Sequence, residues 1–267
     1  MKNIDVLELR QIQVDMLKEI DKYCKMHKLK YSLAFGSLLG AVRHKGYIPW
    51  DDDLDIMLLR KDYDQFVKGF RHKYYSVIEP YGNQEYFLPF AKVNDTRTVI
   101  REESNVKNSY VVYVDVFPVD NAPDDFSEFK TFMAKKNRLN KQHILKIVKF
   151  KWNRNPLKNI VLILAQIVLA FKSLNTISKE MENLSAKYSS LANCKLRGII
   201  VPNDNRLKEL LPATIFESYT ELPFEGFNAM VIEKYDEYLT ASYGNYMQLP
   251  PKNKQVSHHR FTAWWKE

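Results

Sequence analysis

Val6, Leu9, Ile12, Met16, Ile20, Tyr23 and His27 recur at three- and four-residue intervals, the spacing that lines one helix face. Residues 5–29 are therefore predicted to form an amphipathic helix. Tyr31-Ser32-Leu33-Ala34-Phe35 reads as a short strand ending at Gly36. Ser37, a good N-cap, then opens a predicted helix Leu38–Arg43 whose first free N–H groups would face any bound anion. A strand over 53–59 and a helix over Lys61–Arg71 follow. Short β-rich stretches come next at Tyr75–Glu79, Phe87–Val93, Thr98–Glu102 and Tyr110–Phe117, with turns in Pro80–Asn83 and Ser104–Ser109 between them. Beyond Pro123 the pattern turns helical, with helices expected near 125–150, 156–174, 176–191 and 228–242. The expected fold class is α+β: a mixed β-sheet with flanking helices over residues 1–122, then a basic, mainly helical module over 123–267.

Composition changes this picture only in places. With 267 residues, 45% of them hydrophobic and 13% aromatic, the chain can bury a large core and is not disordered. Cys24 and Cys194 belong to no Cys/His pattern, which excludes a zinc site or disulfide framework and points to a reducing compartment. The N-terminus lacks the apolar run of a signal peptide, so a cytoplasmic location is expected. The net charge of +8 is concentrated, because Phe129 to Lys179 holds twelve Lys and Arg and no Asp or Glu. That segment calls for an anionic partner, a membrane surface or a polyanion. Within it, Ile160–Phe171 is about twelve apolar residues flanked by Lys151, Arg154, Lys158 and Lys172. It is too short to span a bilayer and reads either as an interfacial helix or as a buried one.

The densest chemistry lies in Phe35–Ile56, which joins a Gly36-Ser37 turn to Asp51, Asp52, Asp53 and Asp55. So many carboxylates in five residues need solvent or a cation to persist in a folded chain. In a strand the period of two puts Asp53 and Asp55 on one face, with Asp51 just before them and Asp52 pointing away. Oxygen ligands of this kind suit Mg²⁺ or Mn²⁺. The plain alternative is an acidic turn. Asp115, a lone acid in an apolar strand, is a candidate third carboxylate or the partner of a core Lys or Arg. Asp120 reads as a turn or capping residue. Arg43, His44 and Lys92 are candidates for holding phosphate, with Arg97 and Arg101 behind them, although Lys92 on an edge strand would be ordinary. His258 and His259 have no third ligand at metal spacing.

The stretches Gly36–His44 and Ile48–Ile56 closely resemble the signature of the LicD family, bacterial phosphocholine transferases related to the fukutin-related transferases within the nucleotidyltransferase superfamily. The likeness extends to Phe90–Val93, Val114–Asp120, Phe224–Gly226, Tyr243–Tyr246 and Leu249–Pro251. It implies a nucleotidyltransferase-like sheet and a metal site on Asp53 and Asp55, assisted by Asp51 and Asp115. It also implies a CDP-activated donor, CDP-choline above all, and a sugar hydroxyl of a teichoic-acid or similar cell-surface glycan precursor as acceptor. The gap between Gly36-Ser37 and the first acid is longer than in the wider superfamily, which leaves the phosphate role of Gly36 and Ser37 open.

The expected activity is thus metal-dependent phosphocholine transfer, with catalytic Asp53, Asp55 and Asp115, and with Gly36, Ser37, Arg43, His44 and Lys92 around the donor. The basic module would complete the acceptor side, facing a lipid-linked glycan at the inner face of the plasma membrane. One alternative is transfer of a nucleoside monophosphate to a small hydroxyl compound. Another is a non-catalytic membrane- or polyanion-binding protein, which would have no use for converging carboxylates. Nucleic acid is not an expected partner, since no aromatic-interleaved RNA motif is present and the acidic centre would repel it.

Overall fold

The computed structural model describes residues 2–102, 111–148, 150, 155–191, 193–200, 210–256 and 261–266. After a short strand β1 (Asn3–Ile4), Asp5 caps helix α1 (Val6–His27) by accepting from the N–H groups of Leu7 and Glu8 at 2.9 and 2.8 Å. The helix buries Leu9, Met16, Leu17 and Ile20 completely and ends at Lys28, whose φ of 58° turns the chain. Each such aliphatic side chain contributes roughly 1.5–3 kcal/mol to the core.

The chain continues through β2 (Tyr31–Leu33), α2 (Phe35–His44), β3 (Asp55–Leu59), α3 (Arg60–Gly69), β4 (Tyr75–Ile78), β5 (Ala91–Asp95), β6 (Thr98–Glu102) and β7 (Tyr113–Asn121). Among the described residues a seven-stranded mixed sheet forms along the path β2-β3-β7-β5-β4. Strands β3 and β7 are parallel at its centre, and the other pairs on this path are antiparallel. Central burial explains why β3 reads as an apolar run after Asp55. The remaining two strands, β8 (Leu196–Gly198) and β9 (Leu211–Pro212), extend the sheet from the C-terminal end of β7.

Helices α4 (Phe126–Ile147), α5 (Pro156–Val168) and α6 (Leu174–Ala186) form the basic region, where Phe132, Leu139, Ile177, Met181 and Leu184 make a small core of their own. The chain then returns to the main core through the hairpin β10 (Tyr219–Phe224) and β11 (Phe227–Ile232), helix α7 (Tyr235–Tyr243) and strand β12 (Phe261–Trp265). Strand β12 lies between β1 and β6, which ties the two ends of the chain together. The molecule is α+β, as its sequence pattern indicates.

Three local expectations are corrected. Residues 228–242 are not one helix: the first part is β11 and only Tyr235 onward is helical. Helix α2 starts at Phe35 with Ala34 as its N-cap, so Ser37 lies inside its first turn. Asp120 is no turn residue but a fully buried member of β7. His258 and His259 and the turn Ser104–Ser109 lie outside the described residues.

Candidate active site

Asp55, Asp115 and Lys92 occupy one row across three adjacent strands: Asp55 faces Asp115 in the parallel β3–β7 pair, and Asp115 faces Lys92 in β7–β5. Side chains in such a row stand on the same face of the sheet about 4.5–5.5 Å apart. Lys92 Nζ reaches Asp115 Oδ1 at 2.6 Å and lies 3.2 Å from the centre of the Tyr113 ring. It is thus a buried lysine in an inner strand, and the edge-strand reading is set aside.

Asp55 is 8% exposed, and its carboxyl is held well above the usual range by burial, then by the charges of Asp53, Asp115 and Asp51. Lys92 opposes these without outweighing them. The other three acids proposed from sequence thus all raise the Asp55 carboxyl. Asp52 is buried as well.

The loop carrying the acids runs back along α2, and two glycines on one helix face let it lie close. A side chain on Gly40 would collide with the Gly46 carbonyl, and a Cβ on Gly36 would sit 2.5 Å from Asp51 Oδ2. Gly36 therefore admits the Asp51 carboxylate to the first turn of α2, where the helix dipole favours negative charge. Phe35, just before it, has φ 44°, a left-handed conformation unusual for an aromatic residue, and packs edge-on against Phe117.

Ser37 is buried, and its hydroxyl accepts the Asp55 N–H at 2.9 Å, pinning the start of β3 to α2. Arg43 and His44 lie at the other end of α2, roughly 10–12 Å along the axis from Gly36. Arg43 donates to the Tyr246 carbonyl at 2.8 Å. The His44 imidazole is pushed below its ordinary pKa by partial burial and by Arg43, which favours its neutral form near pH 7. Arg97 is paired with Asp95.

Sequence reading missed the residues that hold the acidic loop in place. Arg10 donates to the carbonyls of Pro49 and Asp51, at 2.9 and 2.5 Å. Gln13 donates to the carbonyls of Asp52 and Tyr113, and accepts from the Tyr47 hydroxyl. Glu225, from the turn between β10 and β11, accepts the Tyr47 N–H at 2.9 Å. Of these only Glu225 stood in a motif; Arg10 and Gln13 looked like ordinary positions of an amphipathic helix. Also missed was a buried cluster at the far end of β7, where Arg60 grips Asp120 with two bonds of 2.7 and 2.8 Å and meets Glu182 at 3.2 Å. A cavity of about 320 Å³ opens there, beside Arg60, Tyr63, Asp64 and Glu182 and away from the Asp55 row.

As a donor set, the carboxylates match a hard divalent cation in kind: crowded oxygens around an acid whose charge is disfavoured. They are not drawn together as ligands, since among the described residues no three of His, Cys, Asp and Glu form an assembled metal-holding group.

Residues 28–158, which carry the Asp55–Asp115–Lys92 row, match the family model described as LicD/FKTN/FKRP, nucleotidyltransferase domain. The chain is also 29% identical, over 97% of both lengths, to the lipopolysaccharide cholinephosphotransferase LicD of Haemophilus influenzae. Both likenesses point to the LicD family. Shorter matches occur with two uncharacterized proteins, from Rickettsia typhi (37% identical over 65 residues, 23% of this chain and 21% of that one) and Rickettsia prowazekii (45% over 47 residues, 18% of each). The alignment with the Haemophilus protein extends well beyond the matched nucleotidyltransferase domain, across the basic helices as well.

Proposed function

We propose that this protein is a phosphotransferase that moves phosphocholine from CDP-choline to a sugar hydroxyl of a cell-surface glycan, lipopolysaccharide or teichoic-acid precursor. The observation that carries this reading is the row of Asp55, Asp115 and Lys92 with Asp53 and Asp51 beside it. The full-length likeness to a cholinephosphotransferase supports the choice of donor and acceptor class.

In the reaction, the acceptor oxygen bonds to the choline-bearing phosphorus, the bond from that phosphorus to the bridging oxygen breaks, and CMP leaves. Asp53 and Asp55 would hold Mg²⁺ or Mn²⁺, with Asp51 and Asp115 adjacent; the ion, when bound, neutralises the pyrophosphate charge. Lys92 orients Asp115 from 2.6 Å and places a positive charge beside the phosphates. Asp115 accepts the proton of the attacking hydroxyl, whose own pKa is far too high for it to ionise at neutral pH. Gly36 keeps the first turn of α2 bare on the side of the acids. Ser37 acts by fixing Asp55 through its backbone.

The test is incubation of the full chain with Mg²⁺, CDP-choline and lipopolysaccharide or teichoic-acid precursors, following CMP release and the acceptor's mass. A gain of phosphocholine is expected. A gain of a nucleoside monophosphate would transfer the assignment to the nucleotidyl-transfer alternative, and no metal-dependent CMP release with any CDP-linked donor would overturn it.

A further inference from the structure

Helix α5 is built inside out. Its buried side holds Asn159, Leu162 and the partly buried Gln166, whose amide donates to the carbonyls of Leu145 and Val148 at the end of α4. Lys146 on α4 reciprocates by donating to the Leu169 carbonyl at 2.8 Å. Asn159 and Gln166 thus face the protein, and the opposite side displays Ile160, Val161, Ile163, Leu164, Ile167 and Val168, between 43% and 79% exposed. Phe171, one turn on, is fully exposed. At 3.6 residues per turn these positions form one continuous stripe. Scattered apolar residues on a surface mean little, but an entire helix face of Ile, Val and Leu turned outward marks a docking surface.

Charge identifies what covers it. The stripe sits in the segment of twelve Lys and Arg without Asp or Glu, and Lys135, Arg138 and Lys141 on α4 and Lys158 on α5 are exposed. A segment so charged repels a second copy of itself and attracts anionic headgroups. Thirteen residues of helix extend about 20 Å, short of the ~30 Å hydrocarbon thickness, and no helix among the described residues is long and apolar enough to cross a membrane.

We infer that α5 lies flat in the headgroup layer of an anionic membrane, its apolar stripe in the lipid and the lysines of α4 and α5 on the phosphates. This stands on α5 alone and does not depend on which donor or acceptor the acidic site uses. It adds a role for the basic helices: to hold the enzyme at the surface where a lipid-borne substrate would be met.

The experiment is sedimentation of the full chain with phosphatidylcholine vesicles, with and without phosphatidylglycerol. Binding is expected to the anionic vesicles and to weaken with salt. The double variant Ile160→Gln/Ile167→Gln should lose roughly tenfold or more in partitioning, with its circular dichroism and unfolding temperature unchanged. Lys141→Glu/Lys158→Glu should remove the preference for anionic lipid while leaving the stripe intact. Failure of the unmodified chain to bind anionic vesicles at low salt would overturn the inference, as would binding that neither variant alters. A concentration-dependent dimer abolished by Ile160→Gln/Ile167→Gln, without vesicle binding, would assign the stripe to a second copy instead.

Discussion

Strand β7 carries two aspartates five residues apart, one fully buried and one partly buried, in different electrostatic surroundings. Asp120, at one end, is fully buried and clasped by both arms of the Arg60 guanidinium. Burial works against the charge on Arg60, yet its bonds to Asp120 outweigh that and lift it further above its ordinary pKa. Asp115, about 16 Å away along the strand and on its other face, has Lys92 but shares its surroundings with Asp55, Asp53 and Asp51. At the first site burial still raises the Asp120 carboxyl, but the two direct bonds from Arg60 work against it, and the pair serves the fold. The second carries more negative charge than its one lysine can offset, a cost that a folded chain bears where function requires it.

The contrast can be broken or sharpened in four ways. Asp55→Asn should lower phosphocholine transfer roughly a thousandfold or more, equivalent to at least about 4 kcal/mol in the barrier, with thermal stability unchanged or raised because a crowded charge is gone. Substantial metal-dependent turnover in that variant would remove the acidic row from the chemistry; Asp53→Asn gives the same readout from the neighbouring acid. At the Arg60–Asp120 pair the opposite pattern is expected: Asp120→Ala should cost about 3 kcal/mol or more in chemical denaturation by stranding Arg60 in the interior.

A smaller effect concerns Glu182, whose carboxyl burial pushes up to about 7 despite Arg60. The folded chain keeps a proton that the unfolded chain releases between pH ~4.5 and ~7, so stability falls as pH rises through that window. Glu182→Gln should flatten this slope, an effect on the order of 1–3 kcal/mol, readable from urea unfolding at about pH 5 and pH 8. Smallest of all, Ser37→Ala should cost about 1 kcal/mol of stability through the lost Asp55 N–H bond, with the KM for CDP-choline little changed. A large rise in KM without loss of stability would return Ser37 to a direct role on the phosphates.

Elements with a clean period were legible in the sequence: α1 from its three- and four-residue spacing, and β6 at its full extent. The acidic run stood out because four Asp within five residues need solvent or a cation to persist in a folded chain. Ser37 misled because an isolated Ser before a helical pattern looks like a cap, whereas here its hydroxyl is spent on a strand that arrives eighteen residues later. Asp120 misled because prolines on either side suggest a turn, while β7 runs on through Pro118 to reach Arg60. Residues 228–242 misled because Met230, Ile232, Tyr235 and Tyr238 suit either period; the signal overlooked was Glu225-Gly226, both at positive φ, a two-residue hairpin turn. The outward stripe of α5 was legible as apolar but not as outward, since burial depends on which face finds a partner.

Three side chains that clamp the acidic loop, Arg10, Gln13 and Glu225, all come from outside residues 28–158. A fragment trimmed to that span would keep every acid and lose the brace, leaving the loop to lie against α2 with nothing behind it. The stretch by which the family is recognised is therefore not a unit that can be cut free and swapped between relatives. Grafting this specificity onto another scaffold would require the first helix and the late hairpin to travel with it.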